Sequence, residues 1–311
     1  MMQTTLAKDV VLTGVGVHRG ADTYMRIRPA AADTGITFIR TDITTQANVI
    51  PVRPDAVVDT RLCTVIGNAA GVTVSTIEHL MAALRACDID NAIVELDGPE
   101  VPILDGSSRP FIRAIDSVGV TRLSAPRTAI RILKTVTVKD GDKYVTLSPS
   151  ETSSFEMTVA FDRAVIGRQT AYLDMMAEDF ETEISEARTF GFLEEVEYLR
   201  SQGLAKGGSL DNAVVIDGDT IMNQEGLRFD NEFARHKLLD AVGDLYVAGM
   251  PILGHYEGYK GGHALNNQIL RALLADKSAY EITTMNAAQS HTLSADLLRD
   301  ITSRTADHIA A

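Results

Sequence analysis

Residues 10–29 read VVLTGVGVHRGADTYMRIRP and residues 130–149 read IRILKTVTVKDGDKYVTLSP, and the two stretches share one shape. Each is a pair of strand-like runs around a Gly-containing turn, closed by proline. Tyr24 matches Tyr144 and Pro29 matches Pro149, both 120 positions apart (144 − 24 and 149 − 29). The likeness continues outward. STIEHLMAALRACDIDNAIVEL (75–96) reads as a capped amphipathic helix and then a short apolar strand, and EFARHKLLDAVGDLYVAGMPILGHY (232–256) repeats that order. Each half closes with a further helix, DGSSRPFIRAI (105–115) or GGHALNNQILRALL (261–274). This pattern predicts a duplicated strand–strand–helix–strand–helix unit joined near Ser124-Ala125-Pro126. Hairpins mixed with helices, without alternating βαβ units, predict α+β layers rather than a doubly wound sheet.

A chain of 311 residues is long enough for two domains, expected at 1–125 and 126–311. Its 29 Lys+Arg against 42 Asp+Glu give a formal charge of −13, which argues against a nucleic-acid partner. No apolar run approaches the ~20 residues of a membrane helix. MMQTTLAKDV lacks the basic start and apolar core of a signal peptide. Two cysteines, Cys63 and Cys87, cannot build a disulfide scaffold or a Cys-rich zinc site. The expectation is a cytoplasmic protein with no stable membrane insertion, monomeric rather than assembled.

The second half carries an extra segment at about 191–222. FLEEVEYLRSQGL sets Phe192, Val196 and Leu199 at i, i+4 and i+7, and AVVIDGDTIM follows as an apolar strand, including Val215, broken at Asp217-Gly218. Such a stripe either lines an apolar groove or packs on its own domain.

Three of the histidines stand in suggestive company. His236, Asp240 and Asp244 recur at i, i+4 and i+8, so they share one helical face. Two ligands one turn apart reach the same ion. His79 holds the equivalent place in the first half, across a pseudo-twofold interface, so His79, His236 and Asp240 would form a His, His, Asp set with an open position, the pattern of catalytic zinc. The plainer readings are a core histidine at 79 and an exposed His236–Asp240 pair. Ser75-x-x-Glu78 has capping-box spacing, so Glu78 is either a cap or a general base. His263 opens its helix after two glycines, either as a polar helix start or as an acid kept protonated by Asp244.

Taken together, IEHL, SEARTFGF, RHKLLDAVGDL and YKGGHALNN closely resemble the zinc-dependent UDP-3-O-acyl-N-acetylglucosamine deacetylases of bacterial lipid A synthesis, and TGVGVHRG and LDGSSRPF add to the match. The resemblance runs from about Thr13 to Ala275. It implies two α+β domains packed helix layer to helix layer, and hydrolysis of the N-acetyl group of a UDP-acyl-amino-sugar. Residue by residue, it implies that His79, His236 and Asp240 hold Zn2+, with Fe2+ as the alternative ion. Glu78 would be the general base and His263 the acid, held by Asp244, while Thr189 stabilises the oxyanion. Phe190 would pack on the sugar ring, Lys237 would contact the polar part of the substrate, and Lys143 and His18 would lie towards the nucleotide. Phe192, Val196, Leu199 and Val215 would line an acyl passage. Glu186 stands where the family has a basic residue, and His255 replaces a small residue expected near the site. Cys63, in RLCTVI, reads as a structural thiol that could take a second, inhibitory metal. The tail at 276–311 matches nothing in the family. The rival reading is another metal-dependent amidase with the same ligand set, although HExxH is absent, and a non-catalytic scaffold is the third.

Overall fold

Asp22–Pro29 buries Thr23, Met25 and Ile27 and leaves the residues between them turned outward, the period of two that makes one face of a sheet. From such runs the computed structural model, which describes residues 1–176 and 179–286, builds a mixed α+β architecture. The first half begins with β1 (Met2–Leu6), β2 (Val10–Val15), β3 (Asp22–Pro29), β4 (Ile36–Arg40) and β5 (Val49–Pro51). The short β6 (Val57–Asp59), β7 (Val65–Gly67) and β8 (Thr73–Val74) follow. Helix α1 (Glu78–Ala86), β9 (Ala92–Leu96), α2 (Arg109–Val118) and β10 (Val120–Pro126) complete it. The second half opens with β11 (Thr128–Ile132), β12 (Val136–Asp140), β13 (Lys143–Ser148), β14 (Ser153–Ala160) and β15 (Arg168–Asp174). Then come α3 (Phe180–Glu183), β16 (Phe190–Phe192), α4 (Leu193–Ser201), β17 (Val214–Asp217) and β18 (Thr220–Ile221). The chain continues through α5 (Glu232–Tyr246), β19 (Ile252–Tyr259), α6 (His263–Ala275) and β20 (Tyr280–Thr284).

The first sheet has the order β2-β3-β9-β4-β5, with β4 parallel to β9 and the other pairs antiparallel. In the second, β12-β13-β19-β14-β15 follows the same course, with β14 parallel to β19. Strand β19 also pairs with β11 at Ile252 and Leu253, and β20 flanks β11. Both sheets hold more strands than the five-element unit predicted. Ile36–Arg40 gives little sequence signal because Ile36, Phe38 and Arg40 turn inward within only five residues, and Ser153–Ala160 alternates only over Phe155, Met157 and Val159, behind two buried serines. Residues 124–126, near which the join is expected, form the end of β10, which pairs antiparallel with β1. Of the tail at 276–311, residues 280–284 form β20, and 287–311 lie outside the described residues.

Helix α1 is buried from Glu78 to Arg85, and it packs on α5, buried over most of its length. The crossing is close. A Cβ on Gly243 would collide with the Glu78 carbonyl oxygen, so only glycine lets the helix backbones meet there. This contact carries the first turn of α1 onto the middle of α5, and one hydrophobic cluster, including Leu80, Leu84, Leu239 and Val242, runs through both halves.

The inserted segment forms its own small sheet: β16 parallel to β17, and β17 antiparallel to β18 through the Asp217-Gly218 turn. Helix α4 buries no residue fully, so its apolar stripe faces a cavity rather than a core.

Candidate active site

The i, i+4, i+8 spacing in α5 aims His236, Asp240 and Asp244 at the first turn of α1, which presents Glu78 and His79. All five are buried. His79, His236 and Asp240 each offer one ligand atom, and these atoms lie within 4.8 Å of one another. Asp240 Oδ1 is 3.5 Å from His79 Nε2 and 3.4 Å from His236 Nε2. Two atoms bound tetrahedrally at about 2.0–2.1 Å from one ion stand about 3.3 Å apart, so this spacing suits a shared cation. It is long for a charge-assisted hydrogen bond. His236 Nε2 and Asp240 Oδ1 are also buried with no hydrogen-bond partner, and such orphaned atoms need an occupant. His236 Nδ1 lies 3.0 Å from the Ala187 carbonyl oxygen, an acceptor, so the proton belongs on Nδ1 and the Nε2 lone pair is free. Burial pushes the His236 pKa down to about 3 against the pull of Asp240, which keeps the imidazole neutral. Burial opposes ionisation of Asp240, but the neighbouring cationic groups, Lys237 among them, outweigh it and hold this carboxyl well below its ordinary range. Lys237 Nζ donates to Asp240 Oδ2 at 2.8 Å, so in this structure the lysine holds the ligand carboxylate.

The capping box is not formed. Thr76 has φ +59, so the chain cannot run helically from Ser75, and α1 starts at Glu78 after Ile77. The Ser75 N–H donates instead to the Pro99 carbonyl, and Glu78 Oε2 accepts the Thr64 N–H at 3.0 Å. Burial raises the Glu78 pKa against the opposing charges of His263 and His79. Glu78 Oε1 and His263 Nε2 face each other at 4.0 Å. The other ring nitrogen, Nδ1, is 2.8 Å from Asp244 Oδ2. Burial alone would lower the His263 pKa, but Asp244 and Glu78 reverse this and raise it to about 9. A carboxyl shifted up and an imidazole shifted up, side by side, are matched to the tasks of base and acid near neutral pH.

A cavity of about 350 Å³ starts at these residues and runs beneath the inserted segment, where Val196, Leu199, Leu210, Ala213, Val215 and Met222 line it. Thr189 and Phe190 stand where the two parts meet. The Thr189 N–H donates to the Gly106 carbonyl and its own carbonyl accepts the Val214 N–H, both at 2.8 Å. Gly106, at φ +84, sits so close to the Asn212 carbonyl that no side chain fits. Phe190 packs edge-on against Phe233, with ring centroids 4.9 Å apart, and Lys237 lies over its face. Phe192 departs from the expectation. It is absent from the cavity wall, and its ring meets Phe161 at 5.8 Å and Arg163. It precedes α4 as its N-cap, so the helical spacing that aligned it with Val196 does not apply.

His18 and Lys143 occupy different places. His18 lines the apolar cavity, its Nδ1 is buried without a partner, and burial lowers its pKa against the charge of Glu100. Lys143 lines a second recess with Asp142, Phe161, Lys237 and Lys260. Glu186 pairs with Arg109. His255 lies in β19, with Nδ1 2.9 Å from Ser154 Oγ and its ring by Tyr172, and it lines neither cavity. Cys63 is in the cavity wall, and burial, helped by Glu78, pushes its thiol far above the ordinary range, which disfavours the thiolate a metal needs.

Several supporting residues carry little local signal in the sequence. Asp244 also accepts from Thr64 Oγ1 at 2.6 Å and Asn266 Nδ2 at 2.9 Å, and Tyr256 OH donates to Asn266 Oδ1 at 2.6 Å. Arg188 forms a buried pair with Glu232 and so anchors the segment before β16, whose Ala187 carbonyl meets His236. Only the i, i+3 spacing of His263 and Asn266 carried a local signal.

Two imidazoles and a carboxylate converging on one point, faced by a buried carboxyl and a cationic imidazole, define the class of metal-dependent hydrolases. Within that class the chain belongs to the UDP-3-O-acyl N-acetylglycosamine deacetylase family, whose model matches residues 3–275. The UDP-3-O-acyl-N-acetylglucosamine deacetylase of Phenylobacterium zucineum is 54% identical over 284 residues, covering 91% of this chain and 97% of that one. The enzymes of the same name from Idiomarina loihiensis and Photobacterium profundum are 49% and 48% identical, covering 93% and 92% of this chain and 94% and 95% of theirs.

Proposed function

We propose that the protein hydrolyses the N-acetyl group of UDP-3-O-(3-hydroxyacyl)-N-acetylglucosamine, giving acetate and UDP-3-O-(3-hydroxyacyl)-glucosamine, an early committed step of lipid A biosynthesis. The observation that carries this reading is the cluster of buried, unpartnered ligand atoms, flanked by Glu78 and His263, at the mouth of an apolar cavity. His79, His236 and Asp240 would hold Zn2+, or Fe2+ in its place, since imidazole and carboxylate donors suit both. Once bound there, the ion would supply Lewis acidity to acidify water and polarise the amide carbonyl.

Glu78 takes the proton from the attacking water, and the Thr189 hydroxyl donates to the carbonyl oxygen as charge builds there. His263, held protonated at Nδ1 by Asp244, gives the Nε2 proton to the departing amine as the C–N bond breaks. Lys237 keeps Asp240 ionised and offers positive charge to the polar part of the substrate. Phe190 packs on the sugar ring. Val196, Leu199 and Val215, with His18 in the same cavity, bound the acyl chain, and Lys143 belongs to the recess on the nucleotide side.

The matching strand orders of the two sheets, with Tyr24 and Tyr144 in corresponding strands, support a duplication at the origin of the two halves. Close packing of α1 on α5 supports helix layers meeting at the site, with 1–125 and 126–311 as the two domains. The working form is a cytoplasmic monomer. Among the described residues no helix is long and apolar enough to cross a membrane.

The test measures acetate release from the acylated UDP-sugar and from the same sugar without its acyl chain. Each CH2 buried contributes up to ~0.8 kcal/mol, so the acylated compound should be preferred by orders of magnitude in kcat/KM. Chelation should abolish release, and about one equivalent of Zn2+ should restore it, as expected of one three-ligand site. Full activity in metal-free protein would refute the reading.

A further inference from the structure

Thr64 is buried just before β7, and it touches both carboxylates that flank the ligand set. Its N–H donates to Glu78 Oε2 at 3.0 Å, and its carbonyl accepts the Ile77 N–H. Its hydroxyl donates to Asp244 Oδ1 at 2.6 Å, a contact between residues 180 positions apart. The two carboxylates come from different helices in different halves, α1 and α5, and this one residue ties them together.

We propose that Thr64 is a positioning residue for the deacetylation, fixing the base and the carboxylate behind the acid in one frame. The inference rests on the roles given above to Glu78, Asp244 and His263. A carboxylate has two oxygens and can turn about its last bond. Asp244 has its donors divided, Thr64 on Oδ1 and both His263 Nδ1 and Asn266 Nδ2 on Oδ2, which leaves one orientation satisfied. Without the hydroxyl, Oδ1 is a buried acceptor with no partner, and the carboxylate gains by turning towards whatever donor remains. The imidazole it holds then leaves the line to the departing amine. On the other side, the Thr64 N–H occupies Glu78 Oε2 and leaves Oε1 for the reacting water. Threonine suits the task because its branched side chain holds χ1 more stiffly than serine.

The experiment is steady-state acetate release by Thr64→Val, which keeps the shape and backbone N–H but removes the hydroxyl. The expected result is a kcat lower by about 10–100-fold, with KM within about threefold of the unaltered protein and bound metal unchanged. Thr64→Ser should recover most of that loss. In a His263→Gln background, Thr64→Val should reduce the residual rate little further, because the hydroxyl acts through the partner of His263. If Thr64→Val does not fold, Thr64→Ala is read against the same expectations. A kcat within about twofold of the unaltered protein, a Thr64→Ser as slow as the valine variant, or a full penalty in the His263→Gln background would each overturn the proposal. Absence of acetate release from the unaltered protein would instead sink the deacetylase reading.

Discussion

Glu78 stands three residues after Ser75, the spacing of a capping box, yet its carboxylate is free of Ser75 because one torsion intervenes. Thr76 at φ +59 delays the helix, so Glu78 becomes its first residue and points at Thr64 and His263. The cap and the base make different demands. A base must accept a proton, which an amide cannot do at ordinary pH. Glu78→Gln should therefore retain its metal and nearly its melting temperature, while kcat drops about 100–10,000-fold. The pH profile adds a check with a definite sign. Activity should rise with pH through the elevated Glu78 pKa, because the base works deprotonated, and that limb should vanish in the variant's residual rate. It should fall again as His263, at about 9 before a cation is bound and lower once one is, loses its proton. An unchanged kcat would make His263 the next candidate for the base.

At the scale of elements, the inserted β16–α4–β17–β18 segment explains why an amphipathic helix packed on two short strands can remain half-buried. Val196 and Leu199 of α4 and Val215 of β17 form cavity wall, while Val214 and Ile216, one residue to either side, enter the core. The strand's alternation separates the two jobs. Val215→Asp should leave the fold in place, since its side chain is not in the core, but should put a charge where acyl carbons are expected. Activity on the acylated substrate should fall at least about tenfold while the unacylated sugar is turned over as before, given ~0.8 kcal/mol per excluded CH2. Equal loss on both substrates would mean that the segment only supports the fold.

For the molecule as a whole, the end of the interface away from the site is held by buried charge. Arg127, just past β10, reaches back to the first half, with Nη1 2.7 Å from Asp88 Oδ1 and Nε 2.8 Å from Asp90 Oδ1. Arg85 joins the same cluster at 3.0 Å from Asp88. Burial opposes the charge on Arg127, but Asp88 and Asp90 raise its pKa, so it stays protonated at any pH the protein meets. Removing one partner leaves the others as uncompensated buried charges. Arg127→Ala should lower unfolding free energy by about 3–5 kcal/mol, read by urea denaturation, while kcat of the protein that remains folded is unchanged. A loss below about 1 kcal/mol, the range of exposed pairs, would show that water reaches the cluster.

The amino-acid sequence by itself determined what short-range geometry controls. The 3.6-residue repeat put His236, Asp240 and Asp244 on one helical face, the strand pairs announced the β2–β3 and β12–β13 hairpins, and the long motifs pointed to the family. The α+β class was legible for the same reason, whereas short strands such as Ile36–Arg40 offered too few turns of the pattern to stand out. Only the tertiary structure decided how distant groups met. His79 reaches Asp240 because Gly243 lets two helix backbones touch, and Thr64 finds Asp244 across 180 positions. Phe192 is absent from the cavity wall because the helix begins after it, and His255 lines no cavity because its side chain meets Ser154. Spacing along a helix follows from backbone torsions that each residue carries with it. The meeting of two helices follows from the packing of the whole core, which no stretch of sequence encodes locally.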